Sequence, residues 1–373
     1  MILGILKEAA HENRTSLLPE HLAAINKLGI ENIWVESSAG EKVFQSDKQY
    51  QDAGAEIKNR SEIESDSDLI LCIHPPETSG IKRGAILITQ MNPLTNTDSV
   101  VSMRDANLSV FSLDMVPRTT KAQAMDVLSS MATASGYKAI LSAAMHLPKF
   151  FPMFMTAAGT IAPAKVLILG AGVAGLQAIS TARRLGAGVE AFDVRAAAKE
   201  EVLSLGAKFV EVEGATDDTS AGGYAVEQTE EYKQKQAALI QEHAKKSDVI
   251  VCTAQIPGRK APLLVKEETV NNMRPGSVIV DLAASTGGNC AYTKHNETIQ
   301  VNGITIIGDS NLASSIPFDA SKMYGKNLIN FLKESLQEGK ISFDFSNEIL
   351  EHSCVVHEGK IISPRVQKKF ENQ

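Results

Sequence analysis

The segment 165–178, KVLILGAGVAGLQA, joins a five-residue aliphatic run to a glycine-spaced turn and then to a small-residue helical pattern. Gly170, Gly172 and Gly175 form GxGxxG, a weak signal alone but a specific one between a strand and a helix. Gly170 permits the tight turn, Gly172 lets the backbone approach a pyrophosphate, and Gly175 allows close helix–strand packing. The first turn of the helix then presents free N–H groups and a partial positive charge to phosphate. Asp193 ends the next aliphatic run, in VEAFDVR, 18 residues beyond Gly175. A carboxylate there accepts from the adenosine ribose hydroxyls and repels a 2′-phosphate, so NAD(H) is favoured over NADP(H). Arg195 pulls the other way, since an arginine nearby can accommodate that phosphate.

Outward from this segment, short aliphatic runs alternate with helical stretches along the whole chain. In the first third they are MILGIL (1–6), NIWVE (32–36), DLILCI (68–73), AILIT (85–89) and LSVFSL (108–113). The second series is KVLILG (165–170), GVEAFDV (188–194), AKFVEV (207–212), DVIVCTA (248–254), SVIVDLA (277–283) and ITIIG (304–308). Near-continuous apolar strands between helices indicate parallel sheets covered on both faces. The expected fold is therefore α/β, with two doubly wound parallel-sheet, Rossmann-like domains side by side. The first domain takes 1–125 and is completed by a tail from about 312 to 373. The second, 126–311, carries the dinucleotide turn. An apolar, small-residue segment from about 120 to 147 is expected to cross between them as a helix. The tail begins with a helix, SKMYGKNLINFLKESLQ, and ends in a strand-like pair around SCVVHEGKIIS.

At 373 residues with 43% hydrophobic content, two packed cores are affordable by size alone. Net charge is 37 − 44 = −7 with no long basic run, which argues against nucleic acid as a partner. The four cysteines are scattered without a CxxC pair, as in a reducing compartment. The most apolar region, Phe150 to Ala182, is broken by Pro152, Gly159, Pro163, Lys165 and the three glycines of the turn. A membrane helix needs about 20 uninterrupted apolar residues, so the chain is expected to be soluble by itself. The loop EGATDDTSAGGYAVEQ (213–228) follows the third strand of the second series, and so long a loop in a compact domain is more often functional than idle.

A second segment, VPRTTKAQAMDVLSS (116–130), concentrates polar chemistry at what the spacing predicts to be the beginning of a helix. Thr119 or Thr120 would cap it. Gln123, Asp126 and Ser129, three residues apart, would then share one side, with Arg118 just before the cap. Gln255 and Asp281 follow the fourth and fifth strands at the carboxyl edge where open sheets bind ligands, and either reads equally as a satisfied turn residue. His74, between apolar residues and two prolines, reads more simply as structural.

In their order, KEAAHENRTSLLP, VPRTTKAQAMDVLSS, VLILGAGVAGLQA, AFDVR, GGYAVE, TAQIPGR and VIVDLAASTGGN resemble the alanine dehydrogenase and proton-translocating transhydrogenase superfamily, over nearly the whole chain. Alanine dehydrogenases carry a substrate-binding lysine and a histidine where the matching segments here, LCIHPP and TQMNPL, have His74 and Asn92. A pocket without that ammonium and imidazole is a poor fit for amino-acid oxidation. The transhydrogenase branch has an Arg–Gln–Asp loop, supplied here by Arg118, Gln123 and Asp126 with Ser129.

The resemblance implies that these four groups orient the nicotinamide and its ribose. Hydride transfer needs no metal or nucleophile from the protein, because the cofactor carries the reactivity. It further implies nucleotide contacts from Gly170, Gly172, Val173, Gly175, Asp193, Val194, Arg195, Gln236 and Gln255, with Gly223 and Tyr224 in a lid over the nucleotide. Many relatives have an aliphatic residue where Gln255 stands. On this reading NAD(H) binds this chain and passes hydride to or from NADP(H) on a partner subunit, coupled to proton translocation. The chain ends soon after KIISPRVQKKFENQ, so membrane and NADP(H)-binding subunits are expected as separate chains. A homodimer, at the cytoplasmic face of a bacterial inner membrane, is implied as well. The alternative is a soluble NAD-dependent amino-acid dehydrogenase of the alanine type.

Overall fold

The computed structural model describes residues 1–195, 197–212, 229–256, 258–337 and 339–371. The chain divides into two units, Met1–Met131 with Ser314–Gln373, and Ala132–Ala313. The sequence places these divisions at 125/126 and about 312. In the fold the first division lies within the helix Val127–His146 and the second within a 3-10 turn, Leu312–Ser315.

The first unit holds β1 (Ile2–Ile5), β2 (Asn32–Glu36), β3 (Glu56–Lys58), β4 (Leu69–Leu71), β5 (Ile86–Thr89) and β6 (Ser109–Ser112). These six are parallel, in the order β3-β2-β1-β4-β5-β6. The second unit holds a hairpin of β7 (Phe154–Thr156) and β8 (Gly159–Ile161), then β9 (Lys165–Leu169), β10 (Gly188–Phe192), β11 (Lys208–Phe209), β12 (Val249–Cys252), β13 (Val278–Asp281), β14 (Thr298–Val301) and β15 (Ile304–Ile307). Its sheet runs β11-β10-β9-β12-β13-β15, all parallel, with β14 added antiparallel at the edge. The tail returns to the first unit with a short pair, β16 (Leu336–Gln337) and β17 (Lys340–Ile341), then β18 (Cys354–His357) and β19 (Lys360–Ile361). β18 pairs antiparallel with β6 and extends the first sheet to eight strands.

Both sheets thus share the doubly wound order 3-2-1-4-5-6, the α/β class expected from the alternating runs. Strand side chains of the second unit divide by parity, as a sheet covered on both faces requires. Val166 and Ile168 pack with Ala178 and Ile179 on one face, while Leu167 and Leu169 pack with Ile240 and Ala244 on the other. Among the described residues no helix is long and apolar enough to cross a membrane.

Candidate functional site

β9 and β12 are neighbours at the point where the strand order reverses, and open α/β sheets bind ligands beyond the carboxyl ends of such strands. The glycine turn lies there, and each glycine has a separate steric reason. Gly170 has φ +103°, and a Cβ on it would come within 2.6 Å of the Thr253 Oγ1, whose hydroxyl donates to the Gly170 carbonyl at 2.8 Å. A Cβ on Gly175 would lie 1.9 Å from the Gly170 carbonyl oxygen, so the helix Val173–Arg184 crosses the turn only without one. A Cβ on Gly172 would meet nothing within 4 Å. Packing therefore requires Gly170 and Gly175, whereas Gly172 borders open space at the helix N-terminus. That combination fits a pyrophosphate lying against the backbone, with the first-turn N–H groups as donors.

Asp193 follows β10, and its side chain is 7% exposed. Its Oδ2 accepts the Ala171 N–H at 2.7 Å, which ties the acid to the glycine turn. Its Oδ1 accepts the Arg195 N–H at 2.8 Å, and the guanidinium of Arg195 engages both oxygens, Nε on Oδ1 at 2.9 Å and Nη2 on Oδ2 at 3.0 Å. A carboxylate beside the phosphate cradle is positioned for an adenosine ribose.

The remaining expected contacts of this unit are more dispersed. Val173 is 38% exposed at the first position of its helix, and Val194 packs partly on the core. Gln236 shares a buried stripe with Tyr232, Ile240 and Ala244 on the helix Glu230–Lys246. Gln255 is exposed, and its Nε2 donates to the Leu282 carbonyl at 2.8 Å, linking the segments after β12 and β13. Gly223 and Tyr224 lie outside the described residues. Asp281 is fully buried and accepts from the Ala283, Asn289 and Cys290 N–H groups and the Thr293 hydroxyl, at 2.6–3.0 Å. It organises a turn, the plainer of its two sequence readings.

In the first unit, segment 116–130 is not one helix. Gln123–Met125 forms a separate 3-10 turn, Asp126 is extended (φ −74°, ψ 91°), and the α-helix begins at Val127. Asp126, not Thr119 or Thr120, is the capping residue. Its carboxylate accepts the Ser129 N–H at 2.8 Å and the Ser129 hydroxyl at 2.6 Å. An aspartate competes with the helical backbone for its own N–H groups, which disfavours it inside a helix and favours it at the cap. The three-residue spacing therefore overstated how regularly these groups are presented. Arg118 still approaches Asp126, Nε to Oδ2 at 3.9 Å. Gln123 is exposed on a turn held from behind: Asn327 and Asn330, on the helix Pro317–Ser335, both donate to the Ala124 carbonyl, at 2.9 and 3.1 Å. Lys121 pairs with Glu334 of the same helix. No short-range motif marked these supports, because they lie about 200 residues away.

The crevice of the first unit, between β1 and β4, is filled by the protein itself. Glu8 accepts the Ile73 and His74 N–H groups at 2.5 and 3.2 Å. Burial raises its pKa above the ordinary carboxylate value, against the opposing pull of those two bonds. Glu12 and Arg14 form a buried bidentate pair at 2.8 and 2.6 Å, and His74 Nε2 meets Glu12 at 2.8 Å. Burial alone would raise the Glu12 pKa, but the bonds from Arg14 and His74 and the Arg14 charge hold it far below the usual range. Asn92 sits at φ +51°, a left-handed conformation that asparagine tolerates well.

Comparison with known proteins agrees with this arrangement along the full chain. Residues 4–135 match the family model described as alanine dehydrogenase/PNT, N-terminal domain, and residues 139–364 match alanine dehydrogenase/PNT, C-terminal domain. An NAD(P) transhydrogenase subunit alpha polypeptide of Rickettsia prowazekii is 41% identical over 100% of this chain and 98% of its own length. The crystal structure of a transhydrogenase from Sinorhizobium meliloti has a TM-score of 0.88 at 40% identity, covering 97% of this chain and 100% of that one. The alanine dehydrogenase of Mycolicibacterium smegmatis is 26% identical over 100% of this chain and 97% of its own. With the two family models matched in order over residues 4–135 and 139–364, the chain belongs to the alanine dehydrogenase/PNT family.

Proposed function

We propose that this chain is the NAD(H)-binding alpha subunit of a proton-translocating transhydrogenase, passing hydride between NADH and NADP+ held on a separate subunit. The observation that carries the reading is the pairing of Gly172, open to solvent, with Asp193 hydrogen-bonded to the adjoining Ala171 N–H. The degree of relatedness supports the same choice within the family: 41% identity to a transhydrogenase subunit alpha against 26% to an alanine dehydrogenase.

The chain's residues then have simple tasks. The turn at Gly170–Gly175 receives the pyrophosphate, and Asp193 takes the adenosine ribose. Arg118, Gln123, Asp126 and Ser129 orient the nicotinamide half, which matters because a reacting atom displaced by about 1 Å can cost about a hundredfold in rate. The bound cofactor supplies the hydride, so no acid, base or nucleophile is required of the protein. Asp126 keeps its orientation through its bonds to Ser129, and Gln123 through the turn that Asn327 and Asn330 hold.

Membrane-embedded and NADP(H)-binding subunits complete the system, this chain acts as a homodimer, and the assembly lies at the cytoplasmic face of a bacterial inner membrane. An amino-acid dehydrogenase is disfavoured by two local facts. His74 is engaged by Glu12, and Asn92 forms a left-handed turn, where the resemblance sets the lysine and histidine of alanine dehydrogenases. The deciding experiment measures hydride transfer from NADH to NADP+ with the chain alone and with its membrane partners. Transfer only in the reconstituted complex supports the proposal; alanine oxidation with NAD by the isolated chain defeats it.

A further inference from the structure

Asn289 lies in the turn that Asp281 organises after β13, and every polar atom it carries is used. The residue is fully buried. Its N–H donates to Asp281 at 2.7 Å, and its carbonyl accepts the Leu264 and Val265 N–H groups, both at 2.9 Å. The side-chain amide makes three further bonds. Oδ1 accepts the Ala254 N–H at 3.0 Å, and Nδ2 donates to the Ala254 carbonyl at 2.9 Å and to the Pro262 carbonyl at 2.8 Å. An amide offers an acceptor oxygen and two donor hydrogens, a set that no hydroxyl side chain reproduces. Asn289 therefore clasps Ala254 to Pro262, and Gln255, Arg259 and Lys260 lie exposed between those two residues. Ala254 also walls the glycine turn, since its nitrogen is 3.3 Å from where a Cβ on Gly170 would stand.

We propose that Asn289 is a positioning residue for the nicotinamide half of the dinucleotide, a role that rests on the NAD(H) reading of this crevice. Strand order sets the side, because β9 lies between β10 and β12. With the pyrophosphate at the turn after β9 and the adenosine ribose at Asp193 after β10, the other half of the molecule extends over the end of β12. There it meets the backbone of Ala254 and the side chain of Gln255. Asn289 fixes the first through both its backbone polar groups, and the Leu282 carbonyl holds the second. The buried amide acts only through the backbone it holds.

The test is calorimetric binding of NADH and of ADP to the whole chain, for the wild type, Asn289→Ala and Asn289→Ser, well below each melting midpoint. ADP carries the adenosine and the pyrophosphate without a nicotinamide half, so it reads the Asp193 side and the glycine turn alone. Asn289→Ala should bind NADH about tenfold more weakly, the scale of a lost hydrogen bond, while ADP affinity stays within about twofold. Asn289→Ser keeps a hydroxyl able to make one of the three bonds. It should show a smaller loss with the same split between ligands, and it serves if the alanine variant folds poorly. Variants that melt earlier yet bind NADH as the wild type does would make Asn289 a loop staple only and overturn the proposal. Equal losses for NADH and ADP would also overturn it, because the damage would then have reached the phosphate turn. A wild-type chain that binds neither ligand would instead defeat the NAD(H) reading itself, and this role with it.

Discussion

The two units arrange their six parallel strands in the same order, yet treat the crevice beside the first of them in opposite ways. In the second unit, β9 runs straight into Gly170, Ala171 and Gly172, and a helix begins at once with open space beside Gly172. In the first, β1 runs into Lys7 and Glu8, the helix Pro19–Asn26 begins much later, and Glu8 consumes the N–H groups that follow β4. Strand order creates the crevice; the few residues after the first strand decide whether a ligand or the protein's own carboxylate fills it. The first unit keeps its polar residues for holding itself together and for presenting the turn at Gln123.

The largest effect is expected from Gly175→Val. Its Cβ would overlap the Gly170 carbonyl at 1.9 Å, a backbone atom that cannot step aside. We expect loss of about 3 kcal/mol or more and of nucleotide binding together, read by thermal melting and by titration with NADH. Glu8→Ala probes the other crevice. It leaves two N–H groups without their acceptor and should cost about 2–3 kcal/mol, while NADH affinity stays within about twofold. A large loss of NADH affinity there would show that the first crevice is not merely structural.

The first unit should also lose stability on acidification. His21 is 4% exposed, its Nδ1 accepts the Leu18 N–H at 3.0 Å, and burial depresses its pKa to about 4. The unfolded chain, with a histidine pKa of about 6.5, binds the proton more readily. The stability that neutral His21 contributes is therefore complete above about pH 6.5 and is lost as pH falls toward the folded value. From pH 7 to 5 this should amount to about 2 kcal/mol, measured by denaturant unfolding. His21→Gln should flatten that slope. The smallest of these effects is expected from Gln123→Asn, which shortens the side chain by one methylene on an otherwise unchanged turn. Hydride transfer in the reconstituted complex should fall by about tenfold with little change in NADH affinity, and an unaltered rate would remove Gln123 from the proposed chemistry.

The parallel strands and the glycine turn were legible because continuous aliphatic runs and GxGxxG are local signals. β3, with the sequence EIK, is short and half polar, and both strands of the hairpin β7–β8 are exposed throughout, so no burial pattern announces them. β14, TIQV, lies exposed and half-buried by turns on an edge and reads weakly beside the fully buried β15. The start of the Val127–His146 helix was misread because three polar residues three apart satisfy a helical face and a capped turn alike. The extended backbone of Asp126 and its bonds to Ser129 distinguish them. Glu8 with Ile73, and Asn327 with Ala124, pair residues far apart in sequence, and such contacts leave no periodicity to read.

On this account one crevice accepts nucleotide and the other is closed by the protein's own Glu8. Gly172→Ala tests it most directly, because the added methyl touches no protein atom within 4 Å and lies where the pyrophosphate should pass. Calorimetric titration with NADH should give one site per chain in the wild type and affinity lower by about tenfold or more in the variant, with an unchanged melting midpoint. Two sites per chain, or full affinity in Gly172→Ala, would contradict it.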